Sequence, residues 1–132
     1  MKSYKSDRKN NKKAIRKIQK LIDSSKLNPF ILFHYTALKE SELESNRESM
    51  VSLIKYNNKV ISQLKEEIKD KNICEVHKEI VKKYIDELEY SNGTSKEVIR
   101  IINLKKREFY HKKLQKNYNK FFKKNTKLSA TI

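Results

Sequence analysis

The chain is 132 residues long, 36% apolar and 36% charged, with a net charge of +16 and a single glycine, proline and cysteine. That length suits one domain, or one domain with a tail. So few turn formers and no alternating β-branched runs exclude a sheet protein and point to an all-α bundle of about five or six helices. The longest apolar run, residues 30–33, is too short to span a bilayer. The basic N-terminal stretch lacks the apolar segment of a secretory signal, and the lone Cys74 excludes an internal disulfide and suits a reducing cytoplasm.

Residues 1–13 are polar and basic and read as a loose arm, lying along phosphates or in a minor groove, or simply as a solvated tail. Residues 14–72 form an N-terminal helical part. From Lys12 to Ser25, Ala14, Ile15, Ile18, Leu21 and Ile22 make one apolar face, opposite Lys13, Arg16, Lys17 and Lys20. Asn28 and Pro29 are a cap and first-turn pair. The following residues 30–35 are apolar nearly all round, which implies burial in a short helix or, alternatively, an oligomer contact; burial is the expectation, with His34 a hydrogen-bonded core or boundary residue rather than a ligand.

Ser41 and Glu44 read as a capping box opening a long helix over 41–69. Met50, Ile54, Asn57, Ile61, Leu64 and Ile68 alternate in steps of four and three, the seam of a coiled coil. Such a seam over 50–68 serves either a homodimer, with Asn57 fixing register, or packing within the chain's own domain. Asp70–Asn72 reads as a turn. Ile73, Val76, Ile80, Val81, Tyr84, Ile85 and Leu88 mark a further amphipathic helix, and Ser91-Asn92-Gly93 reads as a break after it.

Residues 73–124 are expected to end in a helix-turn-helix. Thr94 and Glu97 form a capping box, Val98, Ile99 and Ile102 an apolar face, and Asn103 a left-handed helix end. Leu104 plugs the turn. A second helix from Lys105 has Phe109, Leu114, Phe121 and Phe122 behind, and in front Lys105, Lys106, Arg107, His111, Lys112 and Lys116. A helix apolar behind and basic in front suits a DNA major groove. Residues 125–132 read as a fraying tail.

The charge is distributed unevenly. Residues 1–20 hold nine basic and one acidic residue, residues 105–127 ten and one, and the rest thirteen and fourteen. Lysine enrichment from AT-rich coding DNA would be even, so the two basic ends read as footprints for a polyanion.

The segment SKEVIRIINLKKREFYHKKLQKNYNKF, residues 95–121, resembles the helix-turn-helix of sigma-factor region 4 and, more closely, the sigma-like regulators of bacteriophage late genes of the ArpU and RinA type. The matching positions are Glu97, Val98, Ile102, Leu104, Phe109, Tyr110, Lys113 and Phe121. Ile99, Asn103 and Lys105 replace the usual small residue, turn glycine and serine. The resemblance implies a sequence-specific, double-stranded-DNA-binding transcription regulator of a phage or mobile element, acting in the cytoplasm, with RNA polymerase as a possible partner. Lys105, Lys106, Arg107 and His111 would approach base edges, with Arg107 the candidate for guanine. Thr94, Ser95, Lys96, Lys112, Lys113 and Lys116 would hold phosphates, aided by helix amides near Ser95. Phe109 would be core, and Tyr110 either packs or touches a phosphate.

Two other readings fit parts of the pattern. One is a small basic interaction protein of the immunity or inhibitor type, binding a protein or a membrane surface; the other is a packaging or replication-origin DNA-binding protein. Catalysis is not expected. Cys74 and His77, one helical turn apart, are too few ligands for a zinc site, one glycine forms no phosphate loop, and no cofactor is implied.

Overall fold

The computed structural model describes the backbone of residues 2–131 and the side chains of residues 4–124. Four helices follow in order: α1 (Lys2–Asp23), α2 (Pro29–Thr36), α3 (Glu40–Glu67) and α4 (Glu75–Thr131). No strand occurs among the described residues. The chain divides into two units, residues 1–26 with 103–132, and residues 27–102.

The unit of residues 27–102 contains α2, α3 and the first half of α4. Asn28 caps α2 as expected, its Oδ1 accepting from the Phe30 amide at 2.9 Å, with Pro29 in the first turn. The expected burial of residues 30–35 does not occur. No residue of α2 is buried, and Phe30 and Phe33 are 86% and 74% exposed. A two-turn helix that is apolar on every side packs only the side in contact, here marked by half-buried Leu32 and Tyr35. His34 is exposed rather than a boundary residue.

Helix α3 starts at Glu40, one residue before the expected Ser41, because Glu42 reaches back to the amide of Lys39 at the N-cap. The Lys39 amide donates to Glu42 Oε1 at 3.1 Å. The seam over 50–68 is used within the chain. Ile61 forms a core cluster with Val81 and Ile85 of α4, joined by Leu64, Ile68 and Leu88. Asn57, also buried, donates to Asn92 Oδ1 at 3.0 Å, and Asn92 donates to Asn58 Oδ1 at 2.9 Å. A buried amide must find partners, and these three satisfy one another, so Asn57 sets the register of α3 against α4. The turn at residues 70–72 is as expected, with Asp70 Oδ1 accepting from the Asn72 amide at 2.9 Å.

Helix α4 corrects the expectation of five or six helices ending in a helix-turn-helix. It runs through Asn92, Gly93 and Asn103 without interruption, and among the described residues no backbone adopts positive φ, at glycine or elsewhere. The Thr94 hydroxyl donates back to the Tyr90 carbonyl at 3.4 Å, an interior helical contact rather than a cap. What resembled a helix end is a change of buried face. Val81, Ile85, Leu88 and Asn92 step by four and three and so stay on one side. Asn92, Ser95, Val98, Ile101 and Leu104 then follow in steps of three, the last four all buried. Each three-residue step falls about 60° short of a turn, so the packed face migrates around the helix while the backbone continues.

The unit of residues 1–26 and 103–132 is an antiparallel pair of α1 with the second half of α4. Tyr4 stacks on Phe121 with centroids 4.8 Å apart, Arg8 lies 4.9 Å over Phe122, and Asn11 donates to the His111 carbonyl at 2.7 Å and to Gln115 Oε1 at 3.0 Å. The expected loose arm over 1–13 is therefore helical from Lys2 and packed from Tyr4 onward, with Met1 outside the described residues. Tyr4, Arg8, Asn11, Ile15, Ile18 and Ile22 alternate by four and three, as do Leu104, Glu108, His111, Gln115, Tyr118 and Phe122. Two such seams are what an antiparallel coiled pair requires. The expected tail is backbone helix as far as Thr131; Ile132 lies outside the described residues. Nor do the domain limits follow the expected division at 72/73, which falls in the α3–α4 turn inside one unit.

The unbroken helix makes a sharp prediction at Gly93. A Cβ there meets nothing within 4 Å, and alanine is favoured over glycine in a helix interior by about 0.5–1 kcal/mol. Gly93→Ala should raise the thermal unfolding midpoint by a few degrees; a fall would mean a break that needs glycine.

Candidate nucleic-acid interface

The division into units is also a division of charge. Residues 1–26 and 103–132 carry twenty basic and three acidic residues, whereas residues 27–102 carry twelve and thirteen. The whole positive excess therefore sits on the α1–α4 pair.

Helical spacing sorts those cations into faces. On α1, Lys5, Lys9, Lys12, Arg16 and Lys20 recur at intervals of four and three and are all exposed, forming a row about 22 Å long at 1.5 Å per residue. On α4, Lys106, Lys113 and Lys120 recur every seven residues, flanked by Lys116 and Lys124, again all exposed. The seam lies opposite the row on α4 and about 120° round from it on α1, so packing the pair leaves both rows in solvent. Duplex DNA carries one charge per roughly 1.7 Å of axis, and such rows offer it repeated contacts.

The residues expected to form one reading face do not share one. Lys105, Lys106 and Arg107 are consecutive in a helix and so point about 100° apart. Lys106 and Arg107 are exposed. Lys105 is mostly covered, donates to Glu108 Oε1 at 2.8 Å, and lies 5.3 Å from the Phe109 ring centroid. His111 is held by Asn11, with Nδ1 2.6 Å from Asn11 Oδ1, so it faces α1 rather than a groove. Of the expected phosphate ligands, Lys112, Lys113 and Lys116 are exposed on α4, and Lys112 also reaches Glu108 at 3.0 Å.

Thr94, Ser95 and Lys96 belong to the other unit. There Ser95 is buried and Lys96 exposed, and because all three lie mid-helix their amides are spent inside α4 and offer no anion site. Phe109 is half-buried rather than core, and Tyr110 is exposed.

Of the row on α1, Arg16 and Lys20 stood on the expected basic face and Lys5, Lys9 and Lys12 in the expected arm, but none of them, nor Lys120 or Lys124, was among the expected DNA ligands. The row's signal was the four-and-three spacing from Tyr4 to Ile22, interrupted for a hydropathy reading by Arg8 and Asn11. Elsewhere, His77 Nε2 lies 2.8 Å from Glu67, and among the described residues no three potential metal ligands cluster. No described helix is long and apolar enough to cross a membrane.

One carboxylate is built into the pair. Glu108 is 3% exposed and holds Lys105 and Lys112. Burial acts to raise its pKa, but hydrogen bonds and charge from the two lysines outweigh it, leaving the carboxyl below its ordinary range. A group whose folded pKa is depressed adds stability above its unfolded pKa of about 4.3 and loses it as pH falls through the folded value. Glu108→Gln should cost about 1–3 kcal/mol at neutral pH and flatten the acid limb of stability, measured by urea unfolding from pH 7 down to pH 2. An unchanged acid limb would contradict the assigned role. Comparison of the chain with protein-family models, curated proteins and solved structures finds no match.

Proposed function

We propose that the protein binds double-stranded DNA through the basic rows of α1 and the second half of α4, gripping phosphates rather than presenting a recognition helix from a turn. The observation that carries this reading is the confinement of the positive excess to one two-helix unit, twenty cations against three carboxylates, with the rows turned to solvent. Affinity from phosphate contacts is sequence-tolerant and falls steeply with salt, about 0.9 logarithmic units of slope per contact. A role in transcription regulation, as the phage-regulator resemblance implies, would rest on base contacts. The exposure of Arg107 and Lys106 favours these two of the expected set for that role.

The expected result is comparable affinity for duplexes of unrelated sequence, with a strong salt slope by fluorescence anisotropy. Lys116→Ala combined with Lys120→Ala should weaken binding to all duplexes alike and reduce the slope by roughly two units. Cosedimentation with anionic vesicles in the absence of any DNA mobility shift would overturn the proposal.

The interaction-protein reading has one observation in its favour, the exposure of Phe30 and Phe33 on α2. The double substitution Phe30→Ser with Phe33→Ser separates the two readings. Under the DNA-binding proposal it leaves the anisotropy titration unchanged, because those residues belong to the neutral unit.

A further inference from the structure

The side of α2 that the fold leaves bare continues into a second bare surface of the same unit. A cleft of about 360 Å³ opens between α2 and the α3–α4 pair, bounded by Phe30, Ile31 and Tyr35 of α2, Met50 of α3, and Thr94 and Val98 of α4. Ile80 and Tyr84 precede Val98 and Ile102 by eighteen residues, five helical turns, and so share their side of α4. At Val98 and Ile102 that side is buried, whereas Ile80 and Tyr84 are 64% and 47% exposed, and Val76, one turn before Ile80, is 71% exposed. Helix α2 has only eight residues, and it reaches one end of an apolar groove that runs on along α4. Phe30 stands at the junction, bordering the cleft yet mostly in solvent, with Phe33 one turn further on.

We infer that a second copy of this chain covers the groove, each copy laying the Phe30–Phe33 side of its α2 on the other's Val76–Tyr84 stripe about a two-fold axis. The two surfaces lie about 27 Å apart along α4, from Ile80 to Val98 at 1.5 Å per residue, so an antiparallel arrangement engages both at once. In such an interface the same patch serves both copies, and growth stops at two. Charge points to this occupant. Residues 29–36 hold no Asp, Glu, Lys or Arg, and Lys83 and Glu87 beside the stripe are opposite in sign, so neither a polyanion nor an acidic protein finds a counter-charge here. Residues 27–102 as a whole carry twelve basic and thirteen acidic residues, so two such units approach without the repulsion that the cationic pair would bring. Area agrees. The exposed parts of Phe30, Phe33, Tyr84, Val76 and Ile80 come to about 600 Å² per copy, the lower end of stable interfaces, which sets association at micromolar rather than nanomolar concentration. The inference does not rest on the DNA-binding reading, since no residue of the basic unit takes part.

Sedimentation velocity of the full chain in about 0.5 M salt, which screens the basic unit, decides it. The expected result is a shift from the monomer mass at low micromolar concentration to twice that mass by about a hundred micromolar. Phe30→Ser with Phe33→Ser, and separately Ile80→Glu, should each hold the protein at the monomer mass across that range with an unchanged helical circular-dichroism spectrum. These side chains are solvent-exposed in the single chain, so the substitutions spare its fold. An unaltered chain that stays monomeric throughout overturns the inference, and so does growth beyond the dimer, which a closed two-fold contact forbids. A dimer that survives both variants forms elsewhere and equally overturns it.

Discussion

The arrangement depends on packing two helices together although both are strongly cationic. Like charges brought into one small unit repel, and three carboxylates cannot neutralise twenty cations. The seam offsets this in three ways. Ile15, Ile18, Ile22 and Leu104 supply apolar contact area, Asn11 ties His111 and Gln115 across the pair, and Glu108 sits buried between Lys105 and Lys112. Buried polar layers of this kind select one register over its neighbours at some expense in stability. Keeping most of the cations on the outward faces lets water and counterions screen them, and the same outward placement makes them available to a polyanion.

The other unit works on a different balance. Its charges nearly cancel, and α3 meets α4 through an apolar cluster capped by the Asn57–Asn92–Asn58 chain of amides. Ion pairs such as Lys65–Glu89 at 3.5 Å lie on its surface, where exposure leaves them little net effect. Neutral and cationic parts thus fall in different units although α4 contributes to both.

Helix content was legible in the sequence because apolar spacing and the scarcity of glycine and proline agree. Asn28–Pro29 and Asp70–Asn72 were legible for the same reason, since their local chemistry has few alternatives. The break at Asn103 was misread because composition alone does not separate a helix end from a rotation of the packed face. The run of three-residue steps from Asn92 to Leu104 carries that information, but only once partners exist on more than one side. The packed N-terminal segment was missed because its seam includes Arg8 and Asn11, polar residues whose burial depends on Phe122, His111 and Gln115 about a hundred positions away. The Phe30–Tyr35 run failed in the opposite sense, apolarity in a helix too short to cover itself. Of the candidate site, the charge clusters were visible from composition, while their sorting into faces needed the true helix limits.

The pairing of α1 with the far half of α4 also bears on the order in which the molecule assembles. Residues 27–102 are contiguous and can condense as soon as they leave the ribosome. Helix α1, made first, has no docking partner until residues beyond 103 emerge. Contacts such as Asn11–His111 span a hundred residues, and closing so long a loop before any gain is what slows folding in chains of high contact order. Prior condensation of the intervening unit shortens that loop, so the cationic pair is expected to zip last.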